Sequence, residues 1–77
     1  MNKQRRKQID QILEKVAELQ QMIEEVYQDE EEAYDNLPES IQDSERGEAM
    51  YEAVDALESA YQAAEELQEY LETAQGQ

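Results

Sequence analysis

Apolar residues recur in a heptad pattern along two long stretches of this chain, and that pattern restricts it to α-helices that pack lengthwise. In residues 9–37 the a and d positions are Ile9, Ile12, Val16, Leu19, Ile23, Val26, Glu30, Ala33 and Leu37. In residues 50–74 they are Met50, Ala53, Leu57, Ala60, Ala64, Leu67, Leu71 and Ala74. Glutamine, glutamate and lysine, which are good helix formers, occupy most of the remaining positions. The pattern predicts an all-α protein.

The two stretches are separated by the turn sequence Asn36–Pro38. Proline lacks an amide hydrogen and pushes the preceding residue out of the α region, so the first helix must end there. Ser44 has a side chain of the type that caps a helix N-terminus. We therefore predict a first helix at 3–35, a connector at 36–43 and a second helix at 44–74.

A glycine, Gly47, falls near the predicted start of the second helix. Glycine inside a helix costs about 1 kcal/mol relative to alanine. Gly47 therefore marks either a close backbone contact or a later start of the helix, and the sequence leaves both interpretations open.

Two helices joined by a short connector predict an antiparallel two-helix hairpin of the coiled-coil type, as one domain over residues 1–77. The second helix alternates large and small residues at a and d, which lets two helices approach closely. Further apolar residues flank the seam, and a two-helix hairpin cannot cover all of them. The predicted oligomer face consists of Leu13, Met22, Tyr27, Val54 and Tyr61. Pairing of two hairpins in a homodimer, as a four-helix bundle, would cover it.

Charge is the second strong feature, since 21 acids and 6 bases give a formal net charge of -15. Such a chain repels nucleic acids and anionic membranes, so the expected partner is a basic protein. The first nineteen residues are an exception because they carry five bases, Lys3, Arg5, Arg6, Lys7 and Lys15. In an antiparallel hairpin we expect these bases to lie beside the acids Glu65, Glu66, Glu69 and Glu72.

Acids are most concentrated around the predicted turn, where residues 24–48 hold eleven acids and one base, Arg46. One interpretation is a solvated surface that keeps a small helical protein in solution. The other is a nucleic-acid mimic, whose rows of carboxylates occupy the basic groove of another protein. The candidate partner-binding residues are Glu30, Glu31, Glu32, Tyr34, Asp35, Glu39, Asp43, Glu45, Glu48 and Tyr51.

Tyrosines are the only aromatic residues, and two of them fall near the turn. Tyr34, Leu37, Ile41 and Tyr51 could form an apolar patch among the acids, as many interfaces do. They could equally cap the end of the hairpin and serve packing alone.

Residues for catalysis are scarce. The chain has no histidine and no cysteine, so it lacks the usual general base and the strongest nucleophile. The serines Ser40, Ser44 and Ser59 have no histidine or lysine close in sequence, and we interpret them as caps and turn residues. The di-metal motif Glu-x-x-His and the EF-hand loop are both absent. We therefore predict a protein that is not an enzyme and has no metal or other cofactor.

Location follows from hydropathy. No long apolar run could span a membrane, and no apolar segment follows the basic start as it would in a signal peptide. We expect a cytoplasmic protein.

The segment Tyr34–Glu48, YDNLPESIQDSERGE, resembles a stretch of small acidic helical proteins encoded by bacteriophages and prophages. In those proteins a charged first helix also leads into an asparagine-x-proline turn and a serine-glutamate-arginine-glycine start. The resemblance covers the turn most strongly, and it implies a viral origin and a location in the host cytoplasm. Small acidic phage proteins often inhibit host or defence proteins, so it also implies an inhibitor.

The sequence leaves three functions open. The first is a phage-type inhibitor that blocks a basic, nucleic-acid-handling host or defence protein, by mimicry of nucleic acid. The alternative is a structural or assembly protein that oligomerises through its apolar helix face. A designed or regulatory coiled coil is a third possibility.

Overall fold

The computed structural model describes residues 1–76, and these form three α-helices: α1 (Lys3–Asp35), α2 (Glu39–Gln42) and α3 (Glu45–Gly76). Gln77, the last residue of the predicted domain, lies outside the described residues. The all-α prediction is confirmed. The molecule is elongated, with Cα extents of 58 × 15 × 12 Å.

Local hydrogen bonds fix both ends of α1. At its start, the side-chain Oδ1 of Asn2 accepts a hydrogen bond from the amide of Arg5 at 2.8 Å, which satisfies one of the free donors of the first turn. At its end, the amide of Leu37 donates to the carbonyl oxygen of Tyr34 at 3.0 Å, just before Pro38. These two signals give α1 the bounds that the sequence predicts.

The start of α3 shows why a glycine occupies position 47. Ser44 precedes the helix, and its Oγ accepts a hydrogen bond from the amide of Gly47 at 3.4 Å. Gly47 is buried, and a Cβ there would overlap the carbonyl oxygens of Ile41 and Gln42. The close-contact interpretation of Gly47 is therefore the correct one, because the backbone of α2 packs directly against the first turn of α3.

Polar contacts show how α1 and α3 lie side by side. Gln68 donates its side-chain amide to Oε1 of Gln20 at 2.5 Å, and Gln75 donates to the carbonyl oxygen of Arg6 at 3.0 Å and to the Asp10 carboxylate. Residues early in α1 thus lie beside residues late in α3. The two helices contact each other along most of the long axis of the molecule.

The side of α1 that faces α3 differs from the predicted a/d seam. Three predicted d residues are exposed, namely Ile12 at 45%, Leu19 at 55% and Val26 at 54%. The a and e positions face α3 instead: Ile9, Leu13, Val16, Gln20, Ile23, Tyr27, Glu30 and Tyr34. The prediction of d residues in this seam is therefore wrong for α1. The physical reason is size, since the e positions hold a leucine and two tyrosines that bury more area than the residues at d.

The interior between the helices is small. Ile9 and Val16 are the buried apolar side chains of the described residues. The accessible surface is 6033 Å², whereas a compact monomer of the same mass would expose about 4,900 Å². A single copy of this fold therefore exposes about a quarter more surface than a globular protein of its size.

Candidate protein-binding surfaces

One broad side of the α1–α3 pair carries an open groove with a volume of about 330 Å³. Its lining alternates tyrosine, glutamine and glutamate from both helices: Glu24, Tyr27, Gln28, Glu58, Tyr61, Gln62 and Glu65. We call this side the carboxylate face. Apolar ring surface beside exposed carboxylates suits a basic side chain, because the ring face and the acid both attract a cation.

Hydrogen bonds within the carboxylate face order part of it. The hydroxyl of Tyr27 donates to Oε2 of Glu31 at 2.9 Å, and the side-chain amide of Gln28 donates to Oε1 of Glu24 at 3.2 Å. The hydrogen bond to Glu31 raises the pKa of Tyr27 above its usual value, and the negative charges of Glu31 and Glu58 act in the same direction. Tyr27 therefore remains a neutral donor at physiological pH.

Acids reach a high linear density on the half of the molecule nearest the turn. Residues 24–37 of the chain hold seven acids, the facing residues 48–61 hold four, and neither segment contains a base. At a rise of about 1.5 Å per residue these segments span about 20 Å. The spacing is thus about 1.8 Å per charge, close to the value of about 1.7 Å for double-stranded DNA.

The opposite broad side is apolar. A helix turns about 100° per residue, so Val26 points about 200° away from its neighbours Glu24 and Gln28 on the carboxylate face. On α3, Leu67 has the same relation to Glu65. The exposed apolar residues of this side, which we call the apolar face, are Ile12, Leu19, Met22, Val26, Leu67 and Tyr70.

The tip of the molecule, around α2, is held by a small polar network. The side-chain amide of Gln42 donates to the carbonyl oxygens of Tyr34 and Leu37 at 3.2 and 3.1 Å, and the Ser44 hydroxyl donates to the carbonyl oxygen of Ile41. The carbonyl oxygens of Tyr34 and Ile41 each accept a backbone amide as well, from Leu37 and Ser44, so these side-chain bonds reinforce the helix ends. They tie α1, α2 and α3 together at this end.

A tyrosine pair lies beside this network. The rings of Tyr34 and Tyr51 are tilted by 59° with centroids 5.9 Å apart, a geometry that aromatic pairs favour. Tyr34, Leu37 and Ile41 are half-buried, whereas Tyr51 is exposed. Three residues of the predicted tip patch therefore serve packing in part, and Tyr51 offers its surface to solvent.

Most of the predicted partner-binding residues lie on the surface. Glu30 and Tyr34 are half-buried where α1 meets α3. The exposed ones are Glu31, Glu32, Asp35, Glu39, Asp43, Glu45, Glu48 and Tyr51. The structure thus places a continuous set of acids around the tip.

The predicted oligomer face is divided between two places. Met22 lies on the apolar face and is 60% exposed. The other four members, Leu13, Tyr27, Val54 and Tyr61, are half-buried at the seam between α1 and α3. Leu13 and Tyr27 belong to the e row of α1, which faces α3, and Val54 and Tyr61 occupy the corresponding e row of α3.

The expected neighbours of the basic start also differ. Glu65 lines the groove together with Glu24 and Gln28, which lie about 25 and 32 Å along α1 from Lys7. Gln75 is the residue of α3 that contacts the first turns of α1. The expectation that Glu65 and its neighbour Glu66 lie beside the basic start is therefore wrong, because Glu65 lies beside the middle of α1.

Sequence reasoning missed the groove as a candidate site. Its members Glu24, Gln28, Glu58, Gln62 and Glu65 occupy heptad positions b and f on both helices. A signal was present, because those positions repeatedly carry glutamate or glutamine in both stretches. What the sequence did not reveal is that the b and f rows of the two helices lie on the same side.

Two further kinds of site are absent from residues 1–76. No group of three or more acids in this part of the chain is arranged to hold a metal ion. No helix among the same residues is both long and apolar enough to cross a membrane.

Comparison with family models, curated proteins and solved structures produced no match.

Proposed function

We propose that this chain is a non-enzymatic, acidic protein-binding module that folds as an antiparallel two-helix hairpin and pairs into a four-helix bundle. The contacts of Gln75 with Arg6 and of Gln68 with Gln20 support the antiparallel course. The wide apolar surface on one side supports pairing with a second hairpin. The absence of histidine and cysteine from the sequence supports a role without catalysis.

The partner that we propose is a basic protein whose normal ligand is nucleic acid. The observation that carries this proposal is the linear density of carboxylates near the turn, which approaches the phosphate density of a DNA duplex. A basic groove would meet a similar negative potential on either ligand. The chain itself would not bind nucleic acid or an anionic membrane, since like charges repel.

The resemblance of the turn segment to small phage proteins points in the same direction. It favours an inhibitor that acts in the host cytoplasm against a host or defence protein. The exposed acids at the tip and Tyr51 would make the first contacts. The groove of Tyr27 and Tyr61 would then take a basic side chain of the partner.

A DNA-affinity column provides the test. Host lysate is loaded on immobilised duplex DNA at low salt, and the column is eluted with this protein. We expect elution of a discrete set of basic proteins at low salt, and the complexes they form with this protein should dissociate as salt rises, because ion pairing between exposed groups is screened. Poly-glutamate of equal total charge is the control, and it should elute fewer proteins, since it lacks the fixed spacing of the acids.

A matched variant makes the test specific. Replacement of Glu31, Glu32 and Asp35 by lysine should abolish the elution, whereas replacement of Glu18, Glu66 and Glu69 by lysine makes the same charge change away from the turn and should retain most of it. Equal elution by both variants and by poly-glutamate would mean that the acids act only through net charge, and the mimic proposal would be rejected.

The apolar face favours a second candidate, a structural or assembly protein that binds through that face. Six apolar residues are exposed on this face, and a patch of exposed apolar side chains often marks a protein-binding site. Partner binding through this face would be driven by apolar burial and would depend little on salt. A pull-down from host lysate at low and moderate salt separates the candidates, because capture by mimicry should be lost as salt rises and capture by the apolar face should persist.

A further inference from the structure

We propose that two copies of this chain stack through their apolar faces in opposite directions, about a twofold axis at Leu19. The inference rests on the homodimer proposed above and adds its geometry. In this arrangement α1 lies against α1 of the second copy, and the turn of each copy lies at the basic end of the other. Four features of the chain carry it.

The first feature is the spacing of the exposed apolar residues on α1. Leu19 is the midpoint of the helix Lys3–Asp35. Ile12 and Val26 stand seven residues before and after it, about 10 Å in each direction. A twofold axis through Leu19 therefore places the two Leu19 side chains together and puts each Ile12 against Val26 of the second copy. An interface that meets its own copy in this way is isologous, as closed dimers require.

The second feature is the charge at the two ends of α1. Lys3, Arg5, Arg6 and Lys7 stand twelve to sixteen residues before Leu19, and all four are exposed. Glu31, Glu32 and Asp35 stand twelve to sixteen residues after it. Opposite stacking brings each basic end to the acidic end of the second copy. Stacking in the same direction would instead bring the two acidic turns together, and like charges there repel.

The third feature is the direction of the α1 dipole. A helix favours acids at its N-terminus and bases at its C-terminus, but α1 has no acid in its first turn and no base in its last. Its charges are therefore unfavourably placed within one copy. Opposite stacking supplies acids near the basic N-terminus and bases near the acidic C-terminus, so the second copy compensates both ends.

The fourth feature is the area available. The broad side that carries the apolar face measures 58 × 15 Å between its outermost Cα atoms, a projected area of about 870 Å². A stable interface buries about 800 Å² on each partner. The apolar face is therefore large enough for a dimer. Because the carboxylate face lies on the opposite side, the dimer would present one such face outward on each side and could hold two basic partners.

Distances between spin labels test the orientation. The chain contains no cysteine, so a single introduced cysteine carries a single label. Ser40→Cys places it at the exposed tip, and Gln4→Cys places it at the exposed basic end. For opposite stacking we expect about 60 Å between two Ser40 labels, and about 25 Å or less in a mixture of one Ser40-labelled and one Gln4-labelled copy. Stacking in the same direction predicts the reverse order of these distances.

Each outcome has a distinct meaning. A short distance between two Ser40 labels would overturn the orientation and leave the homodimer intact. A protein that sedimented as a 9.0 kDa monomer and gave no label-to-label distance would overturn both. Circular dichroism of the labelled variants confirms that the helices are intact, since both labels lie on exposed positions. The measurement uses the chain alone, so failure of the DNA-column test would leave this result unaffected.

Discussion

The apolar face and the carboxylate face belong to the same two helices, yet they can hold a partner by opposite physical means. On the apolar face, Ile12, Leu19 and Val26 recur every seven residues and offer area to be removed from water. On the carboxylate face, Glu24, Glu58 and neighbouring acids offer charge that acts over about 10 Å at ordinary ionic strength. Added salt screens charge and does not weaken apolar burial. The two faces should therefore respond differently to the same change of conditions.

Packing of α1 against α3 leaves the remaining rows of both helices on the surface. The seam between α1 and α3 uses the a and e rows of α1, so the d row remains on one side and the b and f rows on the other. Apolar side chains therefore collect on one side and acidic side chains on the other, although both sides belong to the same two regular helices. If the two faces are independent, a substitution on one face should leave binding through the other unchanged.

The largest effect is expected from a charge at the proposed twofold axis. Leu19→Asp places two carboxylates in contact inside an apolar interface, which we expect to weaken dimerisation by at least about 3 kcal/mol, or more than about 100-fold in the dissociation constant. Sedimentation over a range of concentrations measures it. Binding to the carboxylate face should change little per copy.

A matched control adds the same charge on the other side. Gln21 is exposed and lies about 200° around α1 from Leu19. Gln21→Asp should leave the dimerisation constant within about threefold of the unmodified protein. Equal weakening by both substitutions would show that net charge, and not the apolar face, controls association.

The next effect concerns the close contact between α2 and the first turn of α3 at Gly47. Gly47→Ala would push a methyl group into the carbonyl oxygens of Ile41 and Gln42. We expect a loss of about 2 kcal/mol in the free energy of unfolding, as for other overpacked sites, and a fall of about 10 °C in the melting temperature. Thermal denaturation followed by circular dichroism measures this.

Gly76 provides the control for that substitution. A Cβ at Gly76 meets nothing within 4 Å, so Gly76→Ala should change the free energy of unfolding by less than about 0.5 kcal/mol. If Gly47→Ala were equally neutral, the tight contact of α2 with α3 would not contribute to stability, and the register of the faces would depend on the seam alone.

A smaller effect is expected when the acids that line the groove are neutralised. Glu24, Glu58 and Glu65 changed together to glutamine should weaken binding of an octa-arginine peptide about tenfold and reduce its dependence on salt, since each exposed ion pair contributes under about 1 kcal/mol. Fluorescence anisotropy at several salt concentrations measures both. Association of the two copies through the apolar face should not weaken.

The control removes equal charge outside the groove. Glu18, Glu52 and Glu66 are exposed and do not line it. Their replacement by glutamine should weaken peptide binding less than the groove triple. Equal losses would indicate that the peptide senses only total charge, and the groove would have no specific role.

The smallest effect is the titration of Tyr27. Its hydrogen bond to the Glu31 carboxylate raises its pKa above the usual value of about 10. The stabilising contribution of this bond is therefore complete below pH 10 and is lost as the pH rises through the higher pKa of the folded state. Absorbance near 295 nm during an alkaline titration should show one late-titrating tyrosine.

Two substitutions identify that tyrosine. Tyr27→Phe should remove the late step, and Glu31→Gln should move it to lower pH because the accepting charge is gone. A late step that persists in Tyr27→Phe would assign the shift to another tyrosine and would contradict the hydrogen bond across the carboxylate face.

Much of the local structure could be predicted because its causes lie within a few residues. Asn2 caps α1, Pro38 ends it, and Ser44 caps α3, so helix ends follow from adjacent side chains. The candidate site was predicted less completely. The acids at the turn were identified, but the groove between Glu24 and Glu65 was not, because its two sides are about forty residues apart in sequence.

The sequence by itself determined an all-helical chain, the break near Pro38, and an uneven distribution of charge along α1. These follow from heptad spacing, proline geometry and residue charge, none of which needs a second helix. Only the tertiary structure decided that the e row of α1 faces α3, that Gly47 accommodates α2, and that apolar and acidic residues lie on opposite sides. Several rows of α1 were apolar enough to pack, and the row that α3 covers depends on the combined fit of both helices.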